Sequence, residues 1–338
     1  MNPIDRMGAS HGGNLDEAER LFGRTEGGWL DLSTGINAVA YPNTEINDTS
    51  LRLLPQPAQL EALLSAARVH YRIPKNVDLV AGPGSQALIQ WLPMLVAPRS
   101  ITVLGPTYSE HARTWLSEGH RVSEVTSLQD AEHSEVVIVV NPNNPDGRTF
   151  TPAELIDFAR QNRFRGGFLV VDEAFADVAP EASVIPFLKD EPIIVLRSIG
   201  KFFGLPGLRL GFAVGVPKFV AGLEKKLGPW AVPGPTLEIG IRSLNDRSWT
   251  DSARIQLRDR REQFDRVLIG ANLGIIGGTD LFRLVHDERA AKIYERLGRA
   301  GILVRRFQTW GNWLRLGVPG TTNDLRRFEQ AIKFAMSL

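Results

Sequence analysis

Phe168-Leu169-Val170-Val171-Asp172-Glu173 and, twenty residues on, Ile193-Ile194-Val195-Leu196-Arg197-Ser198-Ile199-Gly200-Lys201 are short apolar runs that end in charged and hydroxylic side chains. A strand with one wet face alternates apolar and polar residues, whereas an uninterrupted apolar run is covered on both faces. Val136–Val140, with five β-branched residues in a row, has the same character and runs into Asn141-Pro142-Asn143-Asn144-Pro145-Asp146-Gly147. Three such runs predict the interior of a mostly parallel sheet.

Outward from these runs the same rhythm continues. A helix is predicted over 56–69, where Leu60, Leu63, Leu64 and Ala67 recur at helical spacing. A strand over 78–80 leads through Gly82-Pro83-Gly84-Ser85 into a helix over 86–96. Ser100–Leu104 reads as a strand, 108–118 as a helix, 152–162 as a helix and 210–214 as a further strand. Strands alternating with helices predict an α/β fold, with helices on both faces of the sheet and the site beyond the strands' carboxyl ends. Pro229-Trp230-Ala231-Val232-Pro233-Gly234-Pro235 breaks any regular element. A long charged helix over 249–268 follows, and then strand–helix–strand–helix to the end, a smaller α+β domain. The expected organisation is an arm over 1–35, a large domain over 36–230 and a small C-terminal domain over 231–338.

The bulk numbers exclude several classes of function. The chain has 338 residues, 43% hydrophobic and 23% charged, enough to bury a large core. Its 39 basic and 38 acidic side chains leave a formal net charge of +1, with no electrostatic footprint for nucleic acid or an anionic membrane. It has no cysteine, hence no disulfide, thiol nucleophile or thiolate metal site. No metal is expected. The first twenty residues lack the design of a signal peptide, and no apolar stretch approaches the roughly 20 residues of a membrane span. A soluble, cytoplasmic protein is expected.

Taken singly, the polar residues at the strand ends are ambiguous. Asp172 could cap a helix or pair with a cation, Lys201 could be a solvated cation, and the Asn-Pro segment could be a plain turn. Together they suit one chemistry. A lysine forming a Schiff base needs a lowered pKa, and a pyridine ring needs a carboxylate to keep its nitrogen protonated as an electron sink. A phosphate needs hydroxyls, backbone N–H groups and an arginine. The turn at Gly84-Ser85-Gln86 offers the N–H groups, Ser198 the hydroxyl and Arg209 the guanidinium.

The ordered set GPGSQA, GPTYSEH, NPNNPDG, VDEAF and SIGKFFGLPGLRLG resembles the fold-type-I pyridoxal phosphate enzymes, in the branch of the histidinol-phosphate aminotransferases, from about Leu32 to the end of the chain. The resemblance implies pyridoxal 5′-phosphate as cofactor, carried by Lys201 as an internal aldimine. Asp172 would then pair with the ring nitrogen, Asn144 bond the ring hydroxyl and Tyr108 stack on the ring. Ser85, Gln86, Ser198 and Arg209 would hold the phosphate.

His11-Gly12-Gly13-Asn14, the stretch from Asp31 to Asn37, GPWAVPGP, GILVRRF and WLRLGVPG are similar to the threonine-phosphate decarboxylases of cobalamin synthesis. That branch implies loss of CO2 from L-threonine O-3-phosphate, giving (R)-1-amino-2-propanol O-2-phosphate. Phe175 agrees with it, since the aminotransferases usually carry Tyr there. Arg315 matches the late arginine that takes the substrate carboxylate; Arg305 is the candidate for the substrate phosphate, with His11 and Asn37 closing over it. Leu54-Pro55-Gln56-Pro57 stands where the aminotransferases have a tyrosine that reaches the phosphate of the neighbouring subunit. A homodimer is expected nonetheless. The alternatives are an aminotransferase acting on histidinol phosphate or an aromatic amino acid, and a binding-only domain of the kind found in some transcription regulators. The last would carry a DNA-binding module, for which this chain offers no basic stretch.

Overall fold

The computed structural model describes residues 11–25, 27–131, 134–163 and 166–337. Its contacts divide the chain into two compact units, a larger one of residues 40–144 and 148–250 and a smaller one of residues 1–39, 145–147 and 251–338. In chain order, α1 (Leu15–Phe22) and β1 (Leu30–Leu32) come first. The larger unit follows with α2 (Asp48–Arg52), α3 (Pro57–His70), β2 (Asp78–Gly82), α4 (Ser85–Trp91), β3 (Ser100–Leu104), α5 (Ser109–Ser117), β4 (Arg121–Val125) and β5 (Val136–Val140). It continues through α6 (Pro152–Arg163), β6 (Phe168–Asp172), β7 (Ile193–Ser198), β8 (Gly211–Gly215), α7 (Pro217–Leu227) and α8 (Gly234–Asn245). Then come α9 (Arg247–Gly270), β9 (Gly274–Thr279), β10 (Phe282–His286), α10 (Ala290–Arg299), β11 (Ile302–Arg306), β12 (Trp313–Gly317) and α11 (Thr322–Met336).

The larger unit is built on a seven-stranded sheet in the order β2-β8-β7-β6-β5-β3-β4. β8 alone runs against its neighbours, pairing antiparallel with β2 and β7, while β7, β6, β5, β3 and β4 pair in parallel. Every residue of β5, β6, β7 and β8 is buried, as continuous apolar runs require of strands covered on both faces. β4 is one of the two edge strands and is largely exposed. Its polar sequence, Arg-Val-Ser-Glu-Val, escapes a search for apolar runs.

The smaller unit holds a five-stranded sheet in the order β1-β11-β12-β10-β9. Its core joins Leu32 of β1 to Phe264 and Leu268 of α9, Ile293 and Leu297 of α10, and Phe328 and Ile332 of α11. Phe264 and Phe328 meet edge to face, with ring centroids 5.1 Å apart.

Several elements depart from the expectations. The arm, expected to contribute to the small domain, is not among them: Asn14 caps α1 by accepting the N–H of Glu17, and β1 pairs in parallel with β11. Residues 1–10 of that arm lie outside the described residues. The helix expected over 86–96 ends at Trp91, and a short 3-10 turn, Pro93–Leu95, follows, because Pro93 cannot donate the next helical hydrogen bond. The C-terminal part holds two strand pairs rather than two single strands, since the glycine-rich β9 gives a weak strand signal. By contacts the units divide after Thr250, and α8, with Pro235 in its first turn, packs on α3 of the larger unit. Among the described residues no helix is long and apolar enough to cross a membrane.

Candidate active site

Sheet register in the larger unit brings three motifs to one row. Gly82 at the end of β2 is paired with Gly211 of β8, and Gly211 with Ser198 at the end of β7. A Cβ on Gly211 would lie 2.3 Å from the backbone nitrogen of Ser85, so glycine is required for the turn into α4 to come this close. Gly84 has φ +85°, and the Nη2 of Arg209 lies 2.7 Å from where its Cβ would be. The Arg209 guanidinium therefore folds against the first turn of α4. Arg209 is itself left-handed, φ 52°, at the end of a short 3-10 turn. Backbone N–H groups, a hydroxyl and a guanidinium thus converge in a glycine-lined cradle. That donor set fits a phosphate ester.

Asp172 closes β6 with its side chain buried. Its Oδ1 accepts the N–H of Ala174 at 2.9 Å, and its Oδ2 lies 2.8 Å from Nε2 of His111 on α5. Both contacts orient the carboxylate. His111 is absent from the sequence-based candidates; the available signal was its place three residues after Tyr108, in the first turn of the helix that Tyr108 precedes. The Tyr108 hydroxyl donates to Oε1 of Gln86 at 3.0 Å, and Gln86 Nε2 to Glu110 at 3.3 Å. Burial, reinforced by Glu110 and Asp172, pushes the Tyr108 phenol up to about 12, so it stays a neutral donor.

The three asparagines after β5 separate by role. Asn141 donates to the carbonyls of Phe150 and Ala182 and accepts the N–H of Phe150. Asn143 accepts from the Thr107 hydroxyl and donates to the Pro106 carbonyl. Both are buried and hold loops; Asn144 is half-buried.

Lys201 is half-buried, with its Nζ 5.6 Å from the centre of the Phe175 ring. Phe202 and Phe203, which follow it, are fully buried, and Phe203 stacks on Trp249 at 5.4 Å. Behind the strand ends, Arg197 bonds Glu173 at 3.0 Å and Asp177 at 2.8 Å and lies 4.3 Å from the Tyr71 ring centre. Strand alternation separates this buried pair from Asp172 and Ser198, their sequence neighbours. Burial raises the Glu173 carboxyl, against the opposing pull of Arg197 and the Ser183 and Val184 donors.

The smaller unit holds the other candidates. Arg315 on β12 is buried and donates to the Ser33 carbonyl at 2.7 Å. Arg305 on β11 is its direct antiparallel partner, so both arginines share one face of the sheet, while Arg306 is exposed. Burial lowers the Arg305 guanidinium pKa. Arg305 and His11 line one cavity of about 30 Å³ with Asn14, Ser33 and Tyr294. The His11-Gly12-Gly13 segment is seated there: the Gly13 N–H donates to the Ser33 hydroxyl at 2.7 Å, and a Cβ on Gly12 would meet the Ser33 carbonyl at 2.3 Å. Asn37 is buried, and its Oδ1 accepts from the N–H of Val39 and from Arg260.

The cofactor candidates Ser85, Gln86, Tyr108, Asn144, Asp172, Ser198, Lys201 and Arg209 all belong to the larger unit; His11, Asn37, Arg305 and Arg315 all belong to the smaller. Among the described residues no group of acidic or histidine side chains is arranged to hold a metal.

The chain is similar to known proteins along nearly its whole length. A family model described as aminotransferase class I and II matches residues 38–332. A threonine-phosphate decarboxylase of a Sinorhizobium species is 42% identical over 326 residues, covering 95% of this chain and 97% of that protein. Its namesake in Pseudomonas aeruginosa is 38% identical, covering 95% and 96%. A solved histidinol-phosphate aminotransferase from Sinorhizobium meliloti, in complex with pyridoxal 5′-phosphate, superposes with a TM-score of 0.83 at 19% identity, covering 99% of this chain and 97% of that one. The fold is therefore that of the fold-type-I pyridoxal phosphate enzymes.

Proposed function

The chain belongs to the class I and II aminotransferase family, and from that membership we propose that it decarboxylates L-threonine O-3-phosphate to (R)-1-amino-2-propanol O-2-phosphate, a step of cobalamin biosynthesis. It is a pyridoxal phosphate enzyme, and the donor set around Ser85, Ser198 and Arg209 fits that cofactor's phosphate. The cofactor supplies an electron sink through its protonated ring nitrogen.

This chain's residues do the rest. Lys201 would anchor the cofactor, and Asp172, oriented by His111, would hold a proton on its ring nitrogen. Asn144 and Tyr108 would contact the ring, and Ser85, Gln86, Ser198 and Arg209 would hold the phosphate. When not bonded to the cofactor, the Lys201 side chain in its ammonium form would be the group to return a proton to Cα as general acid. Arg315 takes the substrate carboxylate; Arg305, with His11 and Asn37, takes the substrate phosphate. The observation that carries this reading is the pairing of Arg305 with Arg315 across β11 and β12. Two guanidinium groups on one face of the sheet are spaced to meet a substrate that carries two anionic groups.

The aminotransferase alternative would use the same residues and differ in which Cα bond stands perpendicular to the ring. The 42% and 38% identical decarboxylases favour loss of CO2. We further propose a homodimer: Leu51, Leu53, Leu54 and Trp230 of the larger unit are exposed apolar side chains suited to a second copy.

Incubation of the purified holoenzyme with L-threonine O-3-phosphate tests the reaction, with release of CO2 expected. No CO2, together with rapid glutamate-dependent transamination of histidinol phosphate, overturns it.

A further inference from the structure

Lys201 and Arg209 lie on one loop, closed at its base by the Ile199 N–H, which donates to the Leu210 carbonyl at 3.2 Å. Pro206, Gly207 and Arg209 at its outer end are exposed, so packing does little to hold them. Yet Arg209 sits in the left-handed region at φ 52°, a conformation that a residue with a Cβ avoids. Such a conformation persists where the surroundings over-determine it, and such places cluster at ligand sites.

The restraints on this arginine are both local and distant. Within the loop, the Leu208 N–H donates to the Leu205 carbonyl at 3.2 Å, and Arg209 Nη1 to the Pro206 carbonyl at 3.1 Å. From outside it, the hydroxyl of the buried Thr236 on α8 donates to the Leu208 carbonyl at 2.9 Å, across 28 residues of sequence. That carbonyl belongs to the peptide plane that also carries the Arg209 nitrogen, and φ of Arg209 is the rotation out of that plane. Fixing the carbonyl therefore fixes the start of the arginine's path toward the first turn of α4. The proline-rich segment 229–235 places Thr236 in turn: α8 begins at Gly234, with Pro235 in its first turn, which makes Thr236 its third residue. α8 is pressed close to the base of the loop, since a Cβ on Gly240 would lie 2.7 Å from Cδ2 of Leu210.

We propose that Thr236 is a positioning residue for the cofactor: through the Leu208 carbonyl it holds Arg209 in the left-handed turn that lays its guanidinium against Gly84 and the first turn of α4. This rests on the reading that Arg209 holds the cofactor's phosphate there. Thr236 need not touch the cofactor; it acts through the backbone of the loop. A hydroxyl is what the position requires, because valine, of similar volume, would leave the Leu208 carbonyl without this donor.

Full-length Thr236→Val, Thr236→Ala, Thr236→Ser, Arg209→Met and the Thr236→Val/Arg209→Met double variant are stripped of cofactor. Each is titrated with pyridoxal 5′-phosphate and with pyridoxal, which lacks the phosphate. Thr236→Val and Thr236→Ala are expected to raise Kd for pyridoxal 5′-phosphate about five- to tenfold, the size of one hydrogen bond, and to leave Kd for pyridoxal within about twofold. Thr236→Ser, which keeps the hydroxyl, should stay within about twofold of wild type for both. The double variant should bind no more weakly than Arg209→Met alone, since the threonine acts through the arginine. Wild-type Kd values in Thr236→Val and Thr236→Ala, with Arg209→Met impaired, overturn the positioning role and leave Arg209 at the phosphate. An equal rise for both ligands overturns it as well, because a site loosened in general would not distinguish them. Additive losses in the double variant, or a Thr236→Ser as impaired as Thr236→Val, do the same. Wild-type affinity in Arg209→Met removes the reading on which the role rests and overturns it with that reading.

Discussion

Nε2 of His111 lies 2.8 Å from Oδ2 of Asp172, and both side chains are almost wholly buried. The two residues are 61 positions apart, on α5 and at the end of β6. A carboxylate proposed to face a ring nitrogen cannot be left to rotate, and this contact with the Ala174 N–H fixes both its oxygens. Replacing His111 by Ala should lower kcat on the order of ten- to a hundredfold, because small misplacements of a catalytic group are expensive. It should also weaken cofactor binding, read from the absorbance of the holoenzyme on dilution. Wild-type kcat and cofactor affinity together would remove His111 from the site.

Lys201→Ala should abolish covalent attachment of the cofactor. Borohydride treatment is expected to fix the cofactor to Lys201 in the wild type and nowhere in the variant. Activity should fall about a thousandfold or more, since the same amine is the proposed general acid. Reductive labelling of the variant, with activity intact, is the opposing result.

The asparagines after β5 should respond unequally. Asn141→Ala and Asn143→Ala each strand partners that are buried or partly buried, the Ala182 and Phe150 groups in one case and the Thr107 and Pro106 groups in the other. Each should cost about 1–3 kcal/mol of stability in urea unfolding. Asn144→Ala should weaken cofactor binding more than either of the other two does. A reversed order of effects would show that the loop roles are misassigned.

Arg197 joins Glu173 and Asp177 in a buried ion-pair cluster, with the guanidinium over Tyr71. Arg197→Met leaves both carboxylates without their cation and should cost about 3–5 kcal/mol in unfolding. Arg197→Lys, which retains a charge but loses the fork, should cost less. Equal stability of the Met variant and wild type would mean the carboxylates are neutralised in another way.

The buried parallel strands were legible because their signal is local. The uniform burial of β5, β6, β7 and β8 follows from apolar runs readable residue by residue. The same runs placed Asp172, Ser198 and Asn141–Asn144 at carboxyl ends, where α/β sheets put their chemistry. β4 and β1 were illegible for the complementary reason: one is polar at a sheet edge, and the other is three residues long. A strand of that kind is stabilised by its partner more than by its own composition.

By itself the sequence determined the α/β class, the order of the motifs and the residue types at each strand end, since periodicity and turn chemistry act over a few neighbouring residues. Tertiary structure alone decided partners. It separated Asn141 and Asn143, which hold loops, from Asn144; it set Arg305 opposite Arg315; and it brought His111 to Asp172 and Arg260 to Asn37. Residues 61 and 223 positions apart meet only through strand register and helix packing, and no local pattern encodes the direction in which a side chain finds its partner.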